Sequence, residues 1–242
     1  EDCALLLDVI AGHDPADPAS VAGPRVGYAR ALTAPVKGLR VGLLRRFHEH
    51  DVPAAPEMLR MLGEAGAVLK SLGCRVEEAV LPPMAQYNAV GRVIISAEAY
   101  ALHEARLKTR LGEYSRAFRV RVLGGALVSA ADYLAAQRHR TDLIAATAAL
   151  FRQFDVLLTV PVAGPAPVLS EQRPDDGFAR PLQTVVANVA AVPSLVVCGG
   201  FSAAGLPLAI ELIGPAWGDA TVLRLGHQFE QAAGTRLRRP AL

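Results

Sequence analysis

The chain has 242 residues, 52% of them hydrophobic, and a mean hydropathy of +0.28. Disorder is excluded, because a disordered segment is poor in apolar residues and high in net charge. A net charge of +2 names no partner, and the length fits one large domain or two small ones. No apolar stretch reaches the roughly 18 residues that cross a bilayer. The three cysteines, Cys3, Cys74 and Cys198, form no Cys-x-x-Cys pair and are expected to be buried free thiols.

The chain opens on an expected helix, with Leu5, Leu6, Val9 and Ile10 on one face and Gly12 as its stop. Glu1 and Asp2 suit its first turn, but no Ser or Thr precedes them as a cap, so the chain is expected to start mid-protein. Residues 13–35 are turn-rich, with Asp14-Pro15, Asp17-Pro18 and Gly23-Pro24. Residues 39–44 read as a buried strand, 56–72 as an amphipathic helix and 76–81 as a second strand. That order predicts a parallel crossover. Residues 84–154 read as mostly helical, with Ser129 and Asp132 spaced as a capping box for a helix reaching Phe151. Residues 155–162 form a third expected strand. A proline-rich loop over 161–181 and a helix over 182–192 follow. Residues 195–197 and 208–213 read as hairpin strands around Gly205, and 195–197, like 39–44 and 155–162, is apolar enough to be buried on both faces. Asp219 is the expected cap of a last helix, with Val222, Leu225, Phe229 and Ala232 on its apolar face and Gly234 as its stop.

A search for chemistry finds little. None of the eight serines stands in a Gly-x-Ser-x-Gly turn. Nothing around Lys37, Lys70 or Lys108, the three lysines, argues for the burial that a catalytic lysine needs. His48 and His50 lie in a polar stretch and are expected in a solvated loop. Neither a His-Glu-x-x-His metal pattern nor a phosphate-cradling glycine loop occurs, so no metal and no cofactor are expected. Arginines cluster at Arg116, Arg119 and Arg121 and at Arg138 and Arg140. Interleaved acids and apolar residues argue against nucleic acid and for solvated helix faces, with anion or substrate binding as the lesser alternative.

Several blocks in order carry a resemblance across essentially the whole chain. They are Glu1 to Pro18, Gly38-Leu-Arg-Val-Gly-Leu-Leu44, the stretch Gly125 to Gln137, and Phe154-Asp-Val-Leu-Leu-Thr-Val-Pro161. The most telling pair is Asn188-Val-Ala-Ala-Val-Pro-Ser-Leu-Val-Val-Cys-Gly-Gly-Phe201 and Ala204-Gly-Leu-Pro-Leu-Ala-Ile-Glu-Leu-Ile-Gly-Pro-Ala-Trp217. Together they resemble the C-terminal half of the amidase-signature family of serine amidases.

The resemblance implies an α/β fold: the C-terminal part of a mixed, mostly buried β-sheet covered by helices. Residues 1–242 would then be the C-terminal half of one amidase-signature domain. It implies hydrolysis of a small carboxamide by a serine, a second serine in a cis peptide and a lysine. All three belong to segments upstream of Glu1, so no residue here inherits a catalytic role. The expected partners are the missing N-terminal half and a small-molecule amide, with a homo-oligomer open. Nucleic acid and membrane are not expected, and the location would be cytoplasmic. The alternative reading is a non-catalytic α/β binding or scaffold subunit derived from an amidase.

On the substrate side the resemblance implies four residues: Arg121, Thr159, Pro161 and Asn188. Arg121 resembles an arginine that holds an acidic substrate group in some members. Thr159 and Pro161 lie on a strand end that faces the family's pocket, although Val160 stands for a usual proline and Pro161 for a usual threonine. Asn188 opens the family's Asn-x-x-Gly-x-Pro block, with Ala191 in place of the glycine. A local helix or turn hydrogen bond is the alternative role for Asn188.

Overall fold

The computed structural model describes residues 1–23, 26–171 and 181–238. Pro24 of the Gly23-Pro24 pair and the middle of the proline-rich loop, Pro174 included, lie outside the described residues.

Five strands form one sheet in the order β2-β1-β3-β5-β4. They are β1 (Arg40–Leu43), β2 (Arg75–Glu78), β3 (Val156–Thr159), β4 (Ser194–Phe201) and β5 (Pro207–Ile213). β1 runs parallel to β2 and β3, whereas β5 is antiparallel to β3 and β4. The sheet is therefore mixed, as the resemblance implies. β3 is its centre, with all four residues buried. The fork of Arg40 onto Asp155 ties the starts of β1 and β3: the Arg40 amide and Nη2 each donate to the carboxylate at 2.8 Å.

Alternation along the strands divides the core into two layers. On one face Val41, Val156, Leu158, Ile210 and Leu212 pack against α3 (Pro56–Ser71) and the last helix (Asp219–Ala233). On the other, Leu157 and Ile213 pack against α4 (Met84–Arg110), α6 (Ala130–Leu150) and α7 (Val185–Ala190). α1 (Asp2–Ile10), α2 (Tyr28–Ala31) and α5 (Arg116–Val122) complete the helices used below, and the last helix is α8. No helix among the described residues is long and apolar enough to cross a membrane.

The capping box forms as its spacing predicts. The Ser129 hydroxyl accepts from the Asp132 amide at 3.1 Å, and the Asp132 carboxylate accepts from the Ser129 amide at 3.2 Å. Four expectations change. α8 is capped by Gly218, and Asp219 sits inside the first turn without a capping bond. The tight turn from Pro215 to Gly218 leaves no room for a Cβ at residue 218, which fixes the glycine there. α1 ends on Ala11 rather than Gly12, and its apolar stripe points outward: Val9 is 82% exposed, while Ala4 and Leu7 make the contact with Leu32 and Leu223. β4 is an edge strand, and Val196 is 48% exposed, so the run 195–197 is not buried on both faces. Of the three free thiols only Cys74 is buried, with Cys198 half-buried and Cys3 exposed.

Candidate active site half

Helices α4, α5, α6 and α7 enclose a cavity of about 590 Å³ on one face of the sheet. That volume suits a small organic ligand. Its wall is mostly apolar, with Ile94, Ile95, Phe118, Val122 and Val185 among the lining residues. Arg92, Arg121, Arg140, Asn88, Asn188, Ser96 and Glu98 add the polar groups.

Each helix is set by an identifiable contact. Asn88, buried in α4, clamps the segment that leads into α7. Its Oδ1 accepts from the Leu182 amide at 2.8 Å, and its Nδ2 donates to the Leu182 carbonyl at 3.0 Å. Arg140 of α6 donates through Nε to the Val189 carbonyl at 2.9 Å, near the C-terminal end of α7. A cation near exposed carbonyls at a helix end is favourable. Its two terminal nitrogens bond no other described residue. Tyr133 of α6 donates to Glu98 of α4 at 2.7 Å and fixes the rim.

α5 is held onto α4 by aromatic rings. Phe118 stacks on Tyr114 with centroids 5.0 Å apart, and His103 meets both edge-on. Ser115 caps α5 by accepting from the Phe118 amide at 3.3 Å. Gly125, just beyond α5, lies against the Ser96 carbonyl and Tyr100 of α4, where any Cβ would collide. This close approach keeps Arg121 at the cavity.

The four expected substrate-side residues fall in two places. Arg121 and Asn188 both line the cavity, and both are exposed. The Asn188 side chain makes no hydrogen bond among the described residues, so the local-bond alternative has no partner there. Thr159 and Pro161 are buried at the end of β3 and are not among the residues that line it. Thr159 faces Glu211 across the β3–β5 register. Neither the Thr159 hydroxyl nor the two Glu211 carboxylate oxygens has a hydrogen-bond partner among the described residues, and Glu211 is wholly buried. Burial pushes its carboxyl up to about 7; the Ser194 hydroxyl tempers the rise without reaching hydrogen-bond geometry.

Sequence reasoning misses Asn88, Arg140, Glu211 and His48. Arg140 is visible only as one member of a charged cluster, and nothing local marks it as one of the cavity's three arginines. His48 is a correction: it is buried inside a π-helical turn, Phe47–Asp51, and its Nδ1 has no partner among the described residues. Desolvation lowers its pKa to about 4 against the pull of Glu49. Leu44 and Phe47, both apolar, carry the turn inward, and His50 is left more open to solvent.

A mixed sheet covered by helices, with an arginine-lined cavity among them, defines an α/β unit. The family model described as Amidase matches residues 1–223. The chain is 32% identical, over 267 residues, to one of the subunits of the glutamyl-tRNA(Gln) amidotransferase of Geotalea daltonii, covering 100% of this chain and 55% of that one. It is 35% identical, over 250 residues, to an amidase of Pseudomonas putida, covering 100% and 53%. Its fold matches the solved 6-aminohexanoate cyclic dimer hydrolase with a TM-score of 0.83 at 22% identity, over 99% of this chain and 54% of the other. The chain belongs to the amidase-signature family, and it spans about half the length of the curated relatives it matches.

Proposed function

We propose that this chain is the C-terminal half of an amidase-signature domain and furnishes the substrate pocket of an amidase. The single observation that carries the reading is the cavity that joins Arg121, Arg140 and Asn188 to an apolar wall. Nucleophile and base would come from the remaining half of the domain, which the length of the relatives supports. Three arginines against the single carboxylate of Glu98 leave the mostly apolar cavity net positive, which suits a small carboxamide that carries a negative group at its other end. The apolar wall would exclude water, and the clamp would hold the amide carbonyl still for attack, which is where most of the gain from orientation lies. Thr159 and Pro161, buried at the end of β3, take no direct part in this reading of the pocket. The free thiols of Cys3, Cys74 and Cys198 fit a reducing compartment such as the cytoplasm.

The test is reconstitution. The chain is co-expressed with the N-terminal half of a family amidase and assayed against a panel of amides. Hydrolysis that needs both halves is expected, because nucleophile and base together supply most of the acceleration. A stable complex that binds amides without cleaving them would instead establish the binding-subunit reading. In the active complex, Arg121→Lys should raise KM for amides bearing a carboxylate by roughly tenfold, about 1.4 kcal/mol, and spare neutral ones. Equal effects on both classes would remove Arg121 from the pocket's chemistry.

A further inference from the structure

A second cavity, of about 540 Å³, lies on the other side of Asn188, between the end of α7 and the loop that enters α8. Asn188, Ala191, Pro193, Trp217 and Asp219 line it. Two features set this place apart. Ala191 (φ 53°) and Trp217 (φ 64°) are the only non-glycine residues with left-handed backbone among the described residues, and both line this cavity. Such a conformation is costly for an L-residue and persists where the surroundings enforce it. Here the Gly218 amide closes the turn onto the Pro215 carbonyl at 2.8 Å, and the indole is held out at 81% exposure.

We propose that this cavity binds an organic ammonium group, with the cation over the Trp217 ring and its N–H donors on Asp219 and Asn188. The chemistry selects the ligand. Neither the Asp219 carboxylate nor the Asn188 side-chain amide has a partner among the described residues. An aromatic face beside an unpaired carboxylate attracts a cation carrying alkyl groups, which the walls at Ala191 and Pro193 accommodate. An anion would meet the carboxylate, and a neutral alcohol would forgo both charge and ring. The N-terminus of α8 opposes a cation with roughly half a charge, which the full charge of Asp219 outweighs. The ammonium could belong to a free amine or to the far end of an extended amide that also enters the first cavity past Asn188. The extended-amide source rests on the amidase reading, whereas binding of a free amine does not.

Trp217 is the only tryptophan in the chain, so its fluorescence reports the site directly. Butylammonium is titrated into the chain at constant ionic strength, with 1-pentanol and sodium chloride as controls. A saturable change in emission is expected with butylammonium alone. Asp219→Asn should raise its Kd at least fivefold while far-UV circular dichroism stays unchanged. If that variant misfolds, Asn188→Ala serves in its place, with the same expected weakening. An ω-aminoalkyl carboxamide that binds at least tenfold more tightly than butylammonium identifies an extended amide as the source; equal binding identifies a free amine. The absence of saturation, an equal response to pentanol, or an unchanged Kd in the variants would overturn the proposal. So would a Trp217 already shielded from acrylamide before any ligand is added, because another protein surface would then cover it.

Discussion

Two buried titratable side chains pull stability in opposite directions as pH changes. His48 has a pKa of about 4 in the folded chain against 6.5 when free. Between those values only the unfolded chain binds this proton, so stability rises with pH and is lost as pH falls through 4. Glu211 has a pKa of about 7 against 4.5. Between those values only the folded chain keeps the proton, so stability falls as pH rises toward 7. Each slope is about 1.4 kcal/mol per pH unit. From pH 4.5 to 6.5 the two should cancel, and the chain should show an almost flat profile. Glu211→Gln should uncover a rise of about 3 kcal/mol from pH 4 to 6.5. His48→Asn should uncover the opposite fall. Urea titrations at half-unit steps test this, and profiles parallel to the unmutated chain would refute both assignments. Neither residue is legible in the sequence, for a physical reason. A polar side chain is marked as buried only by what folds over it; Glu211 lies between Thr159 and Val196 of distant strands, and His48 is carried inward by a turn that its own residue type does not announce. Arg121 and Asn188, which line the cavity, are singled out by a family pattern rather than by their own neighbours.

At the scale of the element, the signals that hold are local ones. The Ser129–Asp132 box acts within one turn, so spacing alone predicts it. Ser129→Ala removes an acceptor from the Asp132 amide and should cost about 1 kcal/mol, read as a lower urea midpoint at unchanged slope. A midpoint that does not move would show that α6 is held by tertiary packing alone. The apolar run of β3 is equally plain, because the strand is buried on both faces. What fails depends on context. An apolar run looks the same in a central strand and at an edge, so residues 195–197 give no sign that β4 closes one side of the sheet. Its free edge is open to addition of another strand. The cap of α8 moves from Asp219 to Gly218 because the preceding turn is too tight for a side chain, a constraint set by Pro215 rather than by capping preference.

Across the whole molecule, two apolar surfaces stay exposed: the stripe of α1, with Leu5, Leu6, Val9 and Ile10 outward, and Val196 on β4. Monomers rarely expose contiguous apolar patches beyond a few hundred Å². The chain on its own should therefore associate with itself or bind a hydrophobic dye. Light scattering at several concentrations should give masses above 25.5 kDa that climb with concentration. Val9→Lys with Ile10→Lys should lower them. A concentration-independent monomer that ignores the dye would mean that these surfaces are tolerated in water.

The sheet order also sets a timetable. Arg40 and Asp155, which fasten β1 to β3, are 115 residues apart, and β3 stays open on its other side until β5 has been made. Closing so long a loop delays the contacts that reward it. On the ribosome, β1, α3 and β2 can assemble early, whereas the most buried strand must wait for the last quarter of the chain. During that wait the apolar side chains and unpaired backbone of β3 are open to chaperones. Refolding from urea should accordingly show an early phase that protects the β1–β2 amides and a later one that protects β3, resolvable by pulsed hydrogen exchange.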